Sequence, residues 1–136
     1  MNREELEKLY VENGLNEQDV FTMQIGGRSI PIITRSGIEK IQAKHRIGVT
    51  YSVHMLNPEF VVITATGKMG DSLNPPYTKQ IETFGEASPA NCKNKFIVAM
   101  AEKRALSRVV LKCVGMYEHG FMGEDELPDN FQYDEE

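Results

Sequence analysis

Apolar and polar side chains alternate along three segments in the middle of the chain. Every second residue from Val49 to Met55 is apolar, and the residues between them are polar. Residues 60–68 are rich in β-branched side chains, and residues 78–85 form a further strand-like stretch after a loop that contains two prolines. A period of two residues is typical of a strand with one buried face. Three consecutive strands with short connections predict an antiparallel β-meander.

Helical periodicity occurs in three other segments. Residues 3–13 and 35–46 each carry a short apolar stripe, and Ser36 and Glu39 have the spacing of a capping box at the start of the second helix. Apolar residues between about 96 and 114 fall within one arc of a helical wheel. That pattern predicts a long helix whose apolar face packs on the sheet.

A β-hairpin is predicted between the first two helices. Residues 20–33 alternate around Gly26-Gly27, which supplies the positive φ angles of a tight turn. Pro31 lacks a backbone donor, so the second arm is expected to end early or to lie at an edge. The predicted fold class is therefore α+β, with a three-stranded antiparallel meander packed against a long C-terminal helix and preceded by an N-terminal helix and a β-hairpin.

Length and composition are those of one globular domain. The chain has 136 residues, of which 40% are hydrophobic and 26% are charged. We assign residues 1–117 to a single domain with its core in residues 34–115, and residues 118–136 to an acidic, partly flexible C-terminal tail. No apolar run is long enough to span a bilayer and no secretory signal is visible, so we expect a cytoplasmic protein without membrane contact.

Charge is distributed unevenly along the chain, whose formal net charge is −5. Residues 118–136 hold eight acids and no lysine or arginine, whereas residues 20–117 hold 13 basic and six acidic side chains, a net of +7. A basic body between two acidic ends favours a polyanionic partner for the body. A plain solvated surface is the alternative interpretation of the same charge.

A column of cations on the long helix is the sharpest of these signals. Arg104, Arg108 and Lys112 follow one another at intervals of four residues, with Ala101 and Ala105 beside them. Like charges at this spacing repel mildly, so an anion lying against them would relieve the repulsion. Small alanine side chains would let a phosphate approach the helix. We interpret the column as a phosphate-binding surface, and a solvated basic face is again the alternative.

Further cations lie in the segment before the long helix, in two strands and in the second helix. Those before the helix lie near its N-terminus, where free N–H groups favour anions. The complete predicted polyanion-binding set is Arg104, Arg108, Lys112, Lys93, Lys95, Lys79, Lys68, Lys44 and Arg46. Aromatic residues of the strands, namely Tyr51, Phe60, Tyr77 and Phe84, are expected to be core residues and not platforms for base stacking.

Catalytic and metal-binding chemistry is not predicted. His45, His54 and His119 do not combine with Cys92 or Cys113 at the spacing of metal ligands. No histidine is placed beside a cysteine as a base, and no G-K-[ST] sequence follows the glycine pair. We therefore expect no metal, no cofactor and no enzymatic activity.

The order of elements resembles that of the single-strand DNA annealing recombinases, the superfamily that includes the Rad-fifty-two type and its phage and bacterial relatives. The similarity covers residues 34–115. It is carried by Ile38–Arg46, Tyr51–Leu56, Phe60–Lys68, Thr78–Glu86, the FGEAS turn of Phe84–Ser88, and the helix AMAEKRALSRVVLK of Ala99–Lys112. The resemblance implies a β-β-β-α core that binds the DNA backbone through basic residues, with Lys112 near the family's basic pair. It also implies assembly into rings or filaments.

Two functions of different class follow. The first is a non-enzymatic protein of a phage or mobile element that binds and anneals single-stranded DNA, acts in recombination and repair, and forms homo-oligomers. The second is a protein-interaction or assembly module on the same scaffold without nucleic acid, in which the basic column pairs with the acidic end within one chain or between neighbours. The acidic tail is a candidate site that recruits a protein partner or competes with DNA, and a solubilising disordered end is the alternative interpretation.

Overall fold

The computed structural model describes residues 2–70, 78–91 and 96–127. The chain has the predicted α+β fold, and each predicted element is present within two residues of its expected bounds. The helices and strands are α1 (Arg3–Asn13), β1 (Val20–Ile25), β2 (Arg28–Ile33), α2 (Arg35–His45), β3 (Gly48–Asn57), β4 (Phe60–Gly70), β5 (Thr78–Ala87), α3 (Ile97–Cys113) and β6 (Met122–Gly123). Short 3-10 helices occupy Glu17–Asp19, Met116–His119 and Glu124–Glu126.

Strands β3, β4 and β5 form the predicted antiparallel meander in that order. Helix α3 packs across β4 and β5 on one face of this sheet. Alternate residues of β4, namely Val61, Ile63 and Ala65, are buried beneath it. Burial of one face of each strand is the condition that fixes the strand register, because a slip by one residue would turn these side chains to solvent.

Helix α3 and strand β5 approach each other closely at Gly85. A Cβ atom at Gly85 would lie 2.1 Å from the carbonyl oxygen of Ala101 and 2.4 Å from the backbone nitrogen of Ala105. The hydroxyl of Thr83 donates to the Ala105 carbonyl oxygen at 3.0 Å, which ties the helix to the strand. The two alanines therefore accommodate the backbone of β5 and not a phosphate, which corrects the expectation from the sequence.

The N-terminal hairpin and α2 differ from prediction in two details. The side chain of Thr34, not that of Ser36, caps α2 by accepting from the Gly37 amide at 3.0 Å. The second arm of the hairpin does not end at Pro31 but continues to Ile33. Strand β2 lies between β1 and β6, and β6 pairs only with the last two residues of β2, so the missing donor of Pro31 interrupts no ladder on that side.

The first ten residues of the predicted acidic tail belong to the folded domain. Phe121 is 1% exposed and lies in the main hydrophobic core. Gly123 pairs with Ile33 in parallel orientation, and the buried Asp125 carboxylate receives two hydrogen bonds from Arg35, at 2.7 and 3.0 Å. The expected boundary at residue 118 is therefore wrong, because apolar burial and the ion pair of Arg35 with the buried Asp125 hold the chain as far as the third 3-10 helix. Residues 128–136 lie outside the described residues.

Candidate nucleic-acid interface

The predicted cation column does not lie open to solvent, and Arg104 departs from the prediction most. Its side chain is 2% exposed. The guanidinium donates to the carbonyl oxygens of Asp125 (3.1 Å), Glu86 (3.0 Å) and Asn91 (2.8 Å), and to Oδ1 of Asn91 (2.9 Å). Arg104 thus joins the end of β5, the following turn and the C-terminal segment. It is unavailable to a polyanion, and its assignment to the binding set is wrong.

Arg108 is bound to acceptors of its own chain. One guanidinium nitrogen donates to the Phe84 carbonyl oxygen at 2.7 Å, and two nitrogens pair with the Glu86 carboxylate at 2.9 and 3.0 Å. Glu126 lies 3.7 Å away. The hydrogen bonds from Arg108 hold the pKa of Glu86 below the usual glutamate value. Of the three cations in the predicted column, only Lys112 is exposed.

The physical reason for both corrections is the outer edge of β5. No described strand pairs with that edge, so its outward carbonyl groups need donors from elsewhere. Arg104 and Arg108 lie one helical turn apart on α3 and reach over the edge to the carbonyls of Glu86 and Phe84, two residues apart on the strand. The interval of four residues therefore matches the repeat of a strand edge and not a row of phosphates.

Three other predicted cations have different outcomes. The ammonium group of Lys79 donates to the Cys113 carbonyl oxygen at 2.9 Å, near the C-terminus of α3, where a cation also suits the helix dipole. Lys79 is nevertheless exposed, so it has a structural contact without being enclosed. Lys93 and Lys95 lie outside the described residues.

Four predicted cations remain exposed and form no ion pair with any residue that the structure describes. They come from three different elements and one helix cap: α2, its C-cap, β4 and α3. We call the surface that they form the basic end; its members are Lys44, Arg46, Lys68 and Lys112.

Topology brings these side chains to the same end of the meander. Lys68 pairs with the first residue of β3, only two residues after Arg46. Lys79 is opposite the residue that follows Lys68, and its ammonium group reaches the residue that follows Lys112. Exposed cations from distant parts of the sequence therefore collect where β3 begins, β4 ends and α3 ends.

Arg46 occupies this end at a conformational cost. It is the one non-glycine residue with positive φ in the described part of the chain, at φ 52° and ψ 49°. Its backbone N–H caps α2 by donating to carbonyl oxygens of the last turn. Glycine or asparagine adopts this left-handed conformation more easily, and other side chains lose about 1 kcal/mol there. The helix dipole favours a cation near this cap, but it does not require that the cation occupy the left-handed position itself.

Exposed aromatic rings lie on the face of the meander opposite α3, which we call the open face. Phe60 is 38% exposed and Phe84 is 47% exposed, and the ring of His54 meets that of Phe84 edge to face at 5.5 Å between centroids. Tyr51, on the helix side of β3, is 42% exposed. The expectation that these three aromatics are core residues is wrong, and Tyr77 lies outside the described residues.

A signal for the open face was present in the sequence. Alternation places Phe84 on the same side of β5 as Gln80 and Glu82, and it places Phe60 on the same side of β4 as Lys68. A side of a strand that carries charged residues is more often solvated than buried. The residue type of each aromatic indicates burial. The charged residues on the same side of each strand indicate instead that Phe60 and Phe84 are exposed.

Nucleophilic and metal chemistry finds little support among the described residues. They contain no group of three or more His, Cys, Asp or Glu side chains that could hold a metal ion. Cys113 is buried, and that burial raises the pKa of its thiol, which opposes thiolate formation at neutral pH. None of the helices in these residues is long and apolar enough to cross a membrane.

Comparisons with protein-family models, with curated proteins and with solved structures find no match to this chain. The resemblance to annealing recombinases therefore stays a prediction from the order of elements and from the motifs of residues 34–115.

Proposed function

We propose that this chain is a non-enzymatic single-stranded DNA binding and annealing protein that acts in recombination and repair of a phage or mobile element. The observation that carries the proposal is the basic end, where Lys44, Arg46, Lys68 and Lys112 are exposed without an ion pair among the described residues. Electrostatic contact with phosphates is independent of sequence, as annealing of any two complementary strands requires. The proposed binding surface is therefore the basic end and not the predicted column on α3.

Two further features support a polyanion at the basic end. Among the described acids of the predicted partner-binding tail, Asp125 and Glu126 are engaged by Arg35 and Arg108, and none forms an ion pair with a member of the basic end. Arg46 has an unfavourable left-handed backbone conformation, and its side chain is exposed to solvent. A guanidinium held at such a position is suited to phosphate recognition.

Charge removal at the basic end is the direct test. The variant Arg46→Asn, Lys68→Ala, Lys112→Ala keeps a residue that tolerates positive φ at position 46. Binding to a labelled single strand should weaken at least about tenfold at low salt, and the slope of log affinity against log salt should fall by about two, since each phosphate contact on single strands contributes about 0.7.

The matched control removes the same number of positive charges elsewhere. Arg3, Lys8 and Arg28 are exposed on α1 and at the β1–β2 turn. Their replacement by alanine should leave the salt slope unchanged. Equal losses of affinity in the two variants would show that net charge alone explains the effect. Unchanged binding in the first variant would contradict the proposal.

A second candidate function, an assembly module, is favoured by the outer edge of β3. No described strand pairs with this edge, and Gly48–Asn57 contains no Lys, Arg, Asp, Glu or Pro. Its helix-side residues Val53 and Leu56 are 59% and 63% exposed. Charged side chains and proline, which often prevent edge-to-edge pairing, are absent from this strand, and its register with β4 shifts at one point, between Val53 and Met55. Residues 48–53, before that shift, therefore offer a regular edge for pairing with another strand.

Sedimentation velocity tests the assembly function without DNA. A lysine at Val53 places a charge on the edge that a second copy of the chain would have to approach, so Val53→Lys should reduce the sedimentation coefficient if β3 pairs between copies. Truncation after Leu127 tests the acidic end separately, because it spares the buried Phe121 and Asp125. A monomeric wild type would remove the assembly function as a homo-oligomer.

A further inference from the structure

The open face of the meander has the composition of a binding surface. Helix α3 covers the other face, as shown by the contacts of Thr83 and Gly85 with it, so the side chain of Phe84 points away from the helix. Phe60 and Lys68 lie on the same open side, because they alternate with the buried residues of β4. Solvated sheet faces are usually polar, and single exposed apolar residues are common, but two phenylalanines and a lysine on one small face are a specific combination.

The rings at the centre of this face are held in place. His54 and Phe84 lie on the outer strands and meet at 5.5 Å across the central strand. Thr64 on the central strand, opposite Phe84 in the register, is only 8% exposed. Rings fixed by a neighbour lose little conformational freedom when a flat ligand stacks on them, which favours binding.

The charge on the open face orients such a ligand. Lys68 lies four residues along β4 from Thr64, which is about 13 Å at the rise of a strand. Beyond Lys68 the surface continues into the basic end at Arg46. The face therefore runs from cations at one end to aromatic rings in the middle, a distance that a short run of nucleotides spans.

We propose that the open face of the meander is a stacking platform for unpaired bases, with Phe84, His54 and Phe60 contacting bases while Lys68 holds the adjoining phosphates. The inference rests on the proposed function and specifies its substrate as single-stranded nucleic acid. Bases in a duplex stack on each other and do not offer their faces to a protein ring, whereas each base of a single strand does. The combination of a cationic track with exposed aromatic rings is the general solution for sequence-tolerant binding of single strands.

Glu82 opposes a polyanion on this face, whereas Glu86, on the same side of β5, is paired with Arg108. Glu82 is exposed and is the cross-strand partner of Thr66, between the row of Lys68 and the row of Phe84. Its carboxylate would lie near the path of the phosphates. Neutralisation by Glu82→Gln should therefore strengthen binding of a single strand, and the gain should shrink as salt is added.

Replacement of the rings tests the platform. The double variant Phe60→Leu, Phe84→Leu keeps apolar side chains and removes the aromatic faces. Binding to a mixed-sequence single strand should weaken by about tenfold for each ring that stacks. Binding to an abasic strand of the same length should stay unchanged. The slope of log affinity against log salt should also stay unchanged. The single variant Phe84→Tyr keeps an aromatic face and should retain binding. It provides a second test of the platform if the double variant does not fold.

Tyr51→Leu is the matched control, because Tyr51 has similar exposure but lies on the helix side of the same sheet. It should leave both affinities unchanged. Failure of the wild type to bind any single strand would remove the proposed function, and the platform with it. The platform alone would be overturned if the double variant bound single strands as tightly as the wild type. It would also be overturned if the wild type showed no preference for a strand with bases over an abasic strand. A change in sedimentation without a change in DNA affinity would identify the open face as a protein contact and overturn the platform as well.

Discussion

The two outer strands of the meander are supported in opposite ways. The outer carbonyls of β5 receive hydrogen bonds from Arg104 and Arg108, and the C-terminal segment packs on α3 and accepts a hydrogen bond from Arg104. The outer edge of β3 has no described partner, and no residue from Thr50 to Asn57 is buried. At the outer edge of β5, cations therefore form hydrogen bonds with backbone carbonyl groups of the chain itself. The opposite edge has no such support, and exposed cations without an ion pair to a described residue collect at a third location, the basic end.

Arg104→Ala should break the supported edge with the largest effect. It leaves the carbonyl oxygens of Asp125, Glu86 and Asn91 without the donors that they use in a buried site, so the free energy of unfolding should fall by about 3 kcal/mol. Urea denaturation measures the loss. Lys112→Ala on the same helix is the control and should change stability by less than about 0.5 kcal/mol. A stability loss as small as that of the control would show that Arg104 is no part of the edge support.

Gly85→Ala probes the same edge through packing. The added methyl group would meet helix backbone at 2.1 Å, which only a shift of α3 can relieve. We expect a loss of about 1–3 kcal/mol in thermal or chemical unfolding. Gly48→Ala on β3, where no atom lies within 4 Å of the added carbon, should be nearly neutral. Comparable losses at both positions would contradict the asymmetry between the two strands.

The ion pair of Glu86 with Arg108 gives the supported edge a pH dependence. Because the pKa of Glu86 is lowered in the folded state by its hydrogen bonds with Arg108, the unfolded chain binds the proton more readily. The contribution is therefore present at neutral pH and is lost as the pH falls below the ordinary pKa of a glutamate, through the lower pKa of the folded state. Glu86 is 39% exposed, so Glu86→Gln should cost less than about 1 kcal/mol at pH 7.

Stability measured against pH separates this contribution from others. The pKa of Asp19 is also lowered, by the hydrogen bonds with Asn16 and Lys40 that outweigh its burial, so part of the acid sensitivity will persist in Glu86→Gln. The difference between wild type and variant should nevertheless shrink as the pH falls below the ordinary pKa of a glutamate. A difference that stays constant with pH would show that the ion pair does not support the edge.

Val53→Lys on the open edge should have the smallest effect on stability, less than about 0.5 kcal/mol, because this side chain is 59% exposed. Ile63 is its cross-strand partner on the same side of the sheet and is only 5% exposed. Ile63→Lys should therefore destabilise the fold severely, by burying an unpaired charge. Equal outcomes in urea denaturation would mean that β3 is covered in solution, which an increased sedimentation coefficient of the wild type would confirm.

Much of the fold was predictable from local patterns. Period-two alternation, helical stripes and turn glycines identified the helices, the hairpin and the meander, because each signal depends on neighbouring residues alone. The cap of α2 was misplaced by two residues, since Thr34 and Ser36 are both acceptable caps and only the backbone geometry chooses between them. The two-residue strand β6 and the place of Phe121 in the core were missed, because a segment rich in acids carries little local signal for burial.

The sequence by itself determined the charge of the central body, the alternation of the strands and the four-residue interval of the cations on α3. Only the tertiary structure decided which cations face solvent. A stripe of arginines has the same local pattern whether it binds phosphates or strand carbonyls, and the outcome depends on how closely α3 approaches β5. That distance is set by Gly85 and by small residues more than ten positions away along the chain. Contacts between distant segments satisfy buried backbone groups first, and the side chains that remain unpaired are the ones available for function.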